Sequence, residues 1–142
     1  MLAELAALYL PLAERKNIAL TTTCPANLLL VTDPNFLRVI LRNLVQNAIK
    51  FTPDGGRVSL VAEASPGGRT TLRVADSGPG FSPAQLAQLL TPDGATPANA
   101  PVPTDPTHGL GLRLTREFVA KLGGELRATS VPGVGSEVAV AL

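Results

Sequence analysis

The sequence predicts an α+β fold, a two-layer α/β sandwich in which helices cover one face of a mostly antiparallel sheet. Three observations lead there. The element order reads strands, helix, two strands, loop, helix, two strands, without the strand–helix–strand alternation of a doubly wound parallel sheet. Two strand pairs are joined by turn signals, Ser65-Pro66-Gly67-Gly68 and Pro132-Gly133. Two longer segments carry the punctuation of helices, Asp33-Pro34 at the start of one and Gly123-Gly124 at the end of the other.

The size suits a single domain. The chain has 142 residues, of which 45% are hydrophobic. That is enough to bury a core and too apolar for a disordered chain. A net charge of +1 leaves no basic footprint for nucleic acid or an acidic membrane. No apolar run reaches the roughly 18 residues of a membrane span, and no signal peptide is evident. The lone cysteine, Cys24, has no partner in the chain, which fits a reducing compartment; a small buried apolar residue is its expected role. The chain enters directly in helical pattern, as expected of a piece of a longer polypeptide.

The elements follow in order. Leu2 to Arg15 reads as a helix interrupted at Pro11. Residues 18–23 (IALTTT) and 28–32 (LLLVT) read as short strands around a turn at Pro25. Asp33 is a good N-cap and Pro34 a good first residue for a helix that runs to Phe51 and stops before Pro53. Residues 57–64 and 70–76 alternate as a hairpin, with Val58, Leu60 and Ala62 on one face, and Leu72 and Val74 on one face. A short helix is expected over Ser82–Leu90, followed by a proline-rich stretch to His108. A helix over Gly109–Leu122 and a last hairpin of 125–130 with 136–142 complete the chain.

Three stretches carry candidate chemistry. On the first long helix, Asn43, Asn47 and Lys50 lie within an arc of roughly 60°, away from Leu37, Leu41, Leu44, Val45 and Ala48. A carboxamide oxygen suits a hard cation such as Mg²⁺, and an ammonium suits phosphate. The same stripe could equally face water. Asp76 ends a strand on the face of Leu72 and Val74, so its carboxylate needs a donor. Adenine's amino group is one such donor, and the backbone amides of its own turn are another. Gly78 and Gly80 would let backbone approach a flat base. Finally, "HGLGLRL" (108–114) opens a helix with two glycines, where free N–H groups and the dipole favour an anion, or no ligand at all.

Taken together and in order, these pieces resemble the ATP-binding domain of bacterial sensor histidine kinases, in the Bergerat (GHKL) group with gyrase, mismatch-repair ATPases and a heat-shock chaperone. "NLVQNAIKFTPDGG" resembles the family's N box, "DSGPGF" its first glycine box and "GLGL" its second. The closing "GGELRATSVPGVGSEVAVAL" resembles the family's end, and the likeness runs from about Leu12 to Leu142. It implies one ATP-binding domain over 1–142, with a helical segment at 1–15 and a flexible ATP lid at 82–108. It implies that Asn47 ligates Mg²⁺ between the ATP phosphates, with Asn43 supporting it. Lys50 would contact phosphate, and Phe51 would line the base or ribose pocket. Asp76 would accept from adenine, with Ser136 helping through a water, and Gly78 and Gly80 would shape the base pocket. Gly109, Leu110 and Gly111 would present backbone to phosphates, flanked in the ATP-binding stretch by His108 and Leu112. The partners implied are a histidine-bearing dimerisation domain, in the same full-length protein, and a response regulator. The implied location is cytoplasmic, with no nucleic acid.

One position discriminates within the wider group, and in three places the chain departs from the family pattern. Asn43 stands where the ATPase members hold a glutamate; a carboxamide is no general base near neutral pH, which favours phosphoryl transfer over hydrolysis. The only histidine, His108, sits beside the second glycine box as a lid or helix-entry residue, so the acceptor histidine must come from elsewhere. From Val74 to Leu112 there is no Lys or Arg, and the family's phenylalanine-containing lid motif is absent. Thr107 takes the place of an earlier glycine. The lid without basic residues keeps a nucleotide-sensing or docking module without phosphotransfer in view; a self-contained gyrase-like ATPase is the third reading, and Asn43 speaks against it.

Overall fold

A computed structural model describes residues 1–80, 82–83 and 106–142, with backbone alone over 106–112. Its elements are α1 (Leu2–Arg15), β1 (Ala19–Thr23), α2 (Pro34–Phe51), β2 (Arg57–Ser65), β3 (Arg69–Asp76), α3 (Pro106–Lys121), β4 (Glu125–Val131) and β5 (Gly135–Ala141). The helix expected over Ser82–Leu90, and all of the expected lid except 82–83 and 106–108, lie outside the described residues.

The strands form one sheet in the order β1-β2-β3-β5-β4, and every pairing except the parallel β1–β2 is antiparallel. Register stacks the inward side chains in rows. Ala62, Leu72, Val140 and Leu126 make one row, and Leu60, Val74, Val138 and Ala128 the next. The third row, Val58, Asp76, Ser136 and Ser130, turns polar at the sheet's end. On the opposite face Arg73 pairs with Glu63 and Glu137, all roughly half-exposed, where such pairs contribute about 0–1 kcal/mol.

α2 is the middle of the helical layer, packing on β2 and β3 and touching both α1 and α3. It starts as the sequence predicts: Asp33 Oδ1 accepts from the N–H groups of Asn35 (2.8 Å) and Phe36 (3.4 Å), and Pro34 occupies the first turn. It buries Leu37, Ile40, Leu41, Leu44, Val45, Ala48 and Ile49, the apolar side of a 3.6-residue period. It ends where Thr52 turns extended, its N–H and hydroxyl both donating to the carbonyl of Ala48 at 3.1 and 2.6 Å. α3 lies beside it through the rings of Phe36 and Phe118, 4.9 Å apart. α1 buries Leu2, Leu5, Tyr9 and Ala13.

Four local expectations are corrected. Residues 28–32 are not a strand. Leu28 and Leu30 do pack on the core while Leu29 and Val31 are 88% and 101% exposed, so the alternation is present. What is missing is a ladder: β1 pairs with β2, reached through α2, and not with this segment. α1 continues through Pro11, because the carbonyl of Ala7 that loses its donor sits on the exposed side. α3 starts at Pro106, earlier than the expected Gly109, and the Asp-Pro signal that opens α2 recurs in the sequence at Asp105-Pro106. Cys24 is exposed, since it follows the edge strand β1, whose last residues face solvent.

Core truncation on α2 tests this packing. Leu41, 1% exposed, changed to Ala should cost about 2–5 kcal/mol in denaturant unfolding. Leu29→Ala, at an 88% exposed position, should stay within about 0.5 kcal/mol.

Candidate functional site

The polar row at the end of the sheet fixes one half of the site. Asp76 is the last residue of β3 and faces the core side, below Leu72 and Val74. A carboxylate there requires donors. Two are supplied: the N–H of Gly78 donates to Oδ1 at 2.8 Å, and the hydroxyl of Ser136 donates to Oδ2 at 2.7 Å. Asp76 therefore caps its own turn, yet an ionised carboxylate has about four acceptor positions, and these two bonds leave room for another donor. Ser136 reaches the carboxylate directly, as its cross-strand partner.

Close backbone approach shapes this corner. A Cβ on Gly78 would lie 2.9 Å from Asp76 Oδ1 and 3.0 Å from the carbonyl of Phe51. Gly80 has φ +84°, and a Cβ there would meet Ser130 Oγ at 2.5 Å. Gly135, which the sequence marks only as part of a hairpin turn, would place a Cβ 2.1 Å from the carbonyl of Asp76. The turn before it is tied across by the N–H of Gly133 to the carbonyl of Pro79 at 3.1 Å. The β4–β5 hairpin is thus packed directly onto the Asp76–Gly80 turn.

The stripe on α2 fixes the other half. Asn43, Gln46, Asn47 and Lys50 line a hollow of about 460 Å³ together with Leu12, Lys16 and Ile49. Asn43 and Asn47 are half-buried and Lys50 is exposed. Asn47 Nδ2 is buried, and no hydrogen-bond partner for it is present among the described residues. Leaving such a group unpaired costs about 1–3 kcal/mol, which marks this position as built for something beyond the described residues. The two ends of a carboxamide exchange places by rotation, so Asn47 can offer its oxygen there, a neutral ligand fit for Mg²⁺. Among the described residues no three acidic, His or Cys side chains group as a metal cage, so a cation at Asn47 would complete its shell with ligand oxygens and water.

Phe51 joins the halves. It ends α2, its ring lies 5.4 Å from Lys50 Nζ, and its carbonyl abuts Gly78. The second glycine box, Gly109 to Gly111, lies within α3, which starts at Pro106. The first N–H groups of a helix have no partner in its own ladder, so the start of α3 is where backbone donors would face an anion. The side chains of His108 and Leu112 lie outside the description. Lys16, whose contacts with the end of α2 are described below, carried no signal in the sequence.

An α+β domain with a carboxamide stripe beside a glycine-walled carboxylate has clear relatives. The chain belongs to the family of histidine kinase-, DNA gyrase B- and HSP90-like ATPases, whose model matches residues 32–142. It is 41% identical over 113 residues to the virulence sensor protein BvgS of Bordetella bronchiseptica, covering 78% of this chain and 9% of that protein. It is 39% identical over 118 residues to the histidine protein kinase DivJ of Caulobacter vibrioides, covering 83% of this chain and 19% of that protein. It therefore spans less than a fifth of either relative. The crystal structure of full-length ShkA in complex with AMPPNP matches with a TM-score of 0.80 at 31% identity, over 99% of this chain and 28% of that one. The nucleotide-free catalytic domain of the histidine kinase ThkA shares the fold, with a TM-score of 0.80 at 22% identity over 99% and 88% of the two chains. The fold is that of the family's ATP-binding domains, as the sequence predicted.

The close approach at Gly135 is testable by itself. Gly135→Ala should lower unfolding stability by about 1–3 kcal/mol, the usual cost of overpacking, because the methyl meets backbone that cannot move aside.

Proposed function

We propose that this domain binds Mg²⁺-ATP and presents the γ-phosphate to a histidine on a separate dimerisation domain, within a cytoplasmic two-component signalling pathway that continues to a response regulator. The observation that carries the reading is Asp76, a carboxylate held by two protein donors with acceptor capacity left over, in a corner walled by glycine. Adenine offers a donor to such a group, whereas guanine offers an acceptor at the corresponding atom.

The roles follow from placement. Asp76 accepts from the base, Ser136 holds the carboxylate, and Gly78, Gly80 and Phe51 line the flat pocket beside it. Asn47, supported by Asn43, turns its carboxamide oxygen to the metal, and Lys50 takes phosphate. The positive end of α3, with His108, Gly109, Leu110, Gly111 and Leu112 along its first turns, presents backbone to the phosphates. Bound Mg²⁺ would neutralise charge developing on the transferred group. The chain's own contribution is positioning and fixed electrostatics. No residue serves as acid or base, since Asn43 is a carboxamide where a hydrolytic relative carries its glutamate.

The absence of Lys and Arg between Val74 and Leu112 supports a second reading, a nucleotide-sensing module without phosphotransfer. The two separate experimentally. On the kinase reading, labelled phosphate passes from ATP to a supplied histidine-bearing dimerisation domain, and Asn47→Ala abolishes it. On the sensing reading, ATP and ADP bind alike and no label moves. Steady phosphate release by the chain alone would instead point to a gyrase-like ATPase.

Asp76→Asn should weaken ATP binding by about ten- to a hundredfold, the worth of a charge-assisted hydrogen bond, in a titration run alongside GTP. Equal affinity for ATP and GTP in the unaltered chain, with no loss in Asp76→Asn, would remove the adenine assignment.

A further inference from the structure

The corner between α1 and β1 grips the end of α2 through one residue. Lys16 Nζ donates to the carbonyl of Ile49 at 2.8 Å and to that of Lys50 at 3.1 Å. The carbonyl of Lys16 in turn accepts from the N–H of Gly55 at 2.9 Å, and the N–H of Ala19 donates to Gly56 at 3.0 Å. The turn that follows α2 is therefore held at both ends by the same short stretch.

This grip answers a local need. The last carbonyls of a helix have no partner in their own ladder. Here the chain leaves the helix at Thr52, with ψ 128°, and the next residue, Pro53, has no N–H to return. The carbonyl of Ala48 takes both donors of Thr52, and Lys16 supplies donors to the two carbonyls that follow, Ile49 and Lys50. An ammonium there also sits at the negative end of the α2 dipole.

The turn so held is the one that carries Lys50 and Phe51, and the carbonyl of Phe51 abuts the Gly78 corner. Lys16 lines the same hollow as Asn43, Asn47 and Lys50. We propose that Lys16 is a positioning residue of the nucleotide site: by donating to Ile49 and Lys50 it fixes the last turn of α2, and through it the Lys50 ammonium and the Phe51 ring. The proposal rests on the nucleotide reading above.

The test is titration of Mg²⁺-ATP into the unaltered chain, Lys16→Met, Lys16→Arg, Lys50→Met and the Lys16→Met/Lys50→Met double variant, well below each protein's melting temperature. Lys16 is only half-buried, so its variants are expected to fold. Lys16→Met should weaken binding about tenfold, the scale of a lost charge-assisted bond. Lys16→Arg, which keeps donor and charge, should stay within about threefold of the unaltered chain. The double variant should fall well short of the product of the two single losses, because one residue acts through the other. A lower melting temperature with unchanged affinity in Lys16→Met would show a structural brace only and overturn the proposal. Fully multiplicative losses would also overturn it. No binding by the unaltered chain would remove the nucleotide reading and this proposal together, whereas binding that Lys16→Met leaves intact removes this proposal alone.

Discussion

A carboxylate at the end of an apolar sheet face is tolerated only if the chain brings donors to it. Asp76 occupies that place, and much of the molecule is arranged around it. The register of β3 with β5 sets Ser136 opposite it, so that a hydroxyl reaches one oxygen. The turn after β3 folds back so that the N–H of Gly78 reaches the other. Gly135 then has no room for a side chain, because the β4–β5 hairpin lies against the Asp76 carbonyl. The polar row, the glycines and the hairpin are one solution to one electrostatic demand.

α2 serves two purposes with its two sides. Its apolar side lies between the sheet and the neighbouring helices and supplies much of the core. Its outward side holds Asn43, Asn47 and Lys50 beside an open hollow. Burying the amide of Asn47 without a partner among the described residues costs stability, and retaining it makes sense where a ligand completes its bonding. The helix end matters to both purposes, since the same turn closes the core and carries Lys50 and Phe51. Lys16 ties that turn to α1, so core, corner and stripe are mechanically continuous.

The proposed chemistry asks little of the side chains as acids or bases. Phosphoryl transfer depends on alignment and on charge neutralisation. A stripe of neutral carboxamides and an ammonium suits that demand. It leaves the acceptor histidine to another domain, consistent with a chain that spans a small part of its relatives.

Much of this was legible in order and spacing. Asp33-Pro34 marked the start of α2, and period two placed Asp76 on the face of Leu72 and Val74, because both signals are local. The stripe of Asn43, Asn47 and Lys50 was equally local, and spacing alone did not separate a ligand from plain solvent. Pairing was not legible. Residues 28–32 alternate like a strand but join no ladder among the described residues, and β1 pairs in parallel with β2 across the intervening helix. The true start of α3 at Pro106 was missed because the glycines beyond it look like a helix opening. The sequence by itself determined the inward faces of α2, β2 and β3 and the cap at Asp33, since those follow from backbone period and local hydrogen bonding. Only the tertiary structure decided that Ser136 bonds Asp76 directly, that Gly135 lies against its carbonyl, and that Lys16 donates to the last turn of α2. Those contacts join residues far apart in the chain, and no local rule contains them.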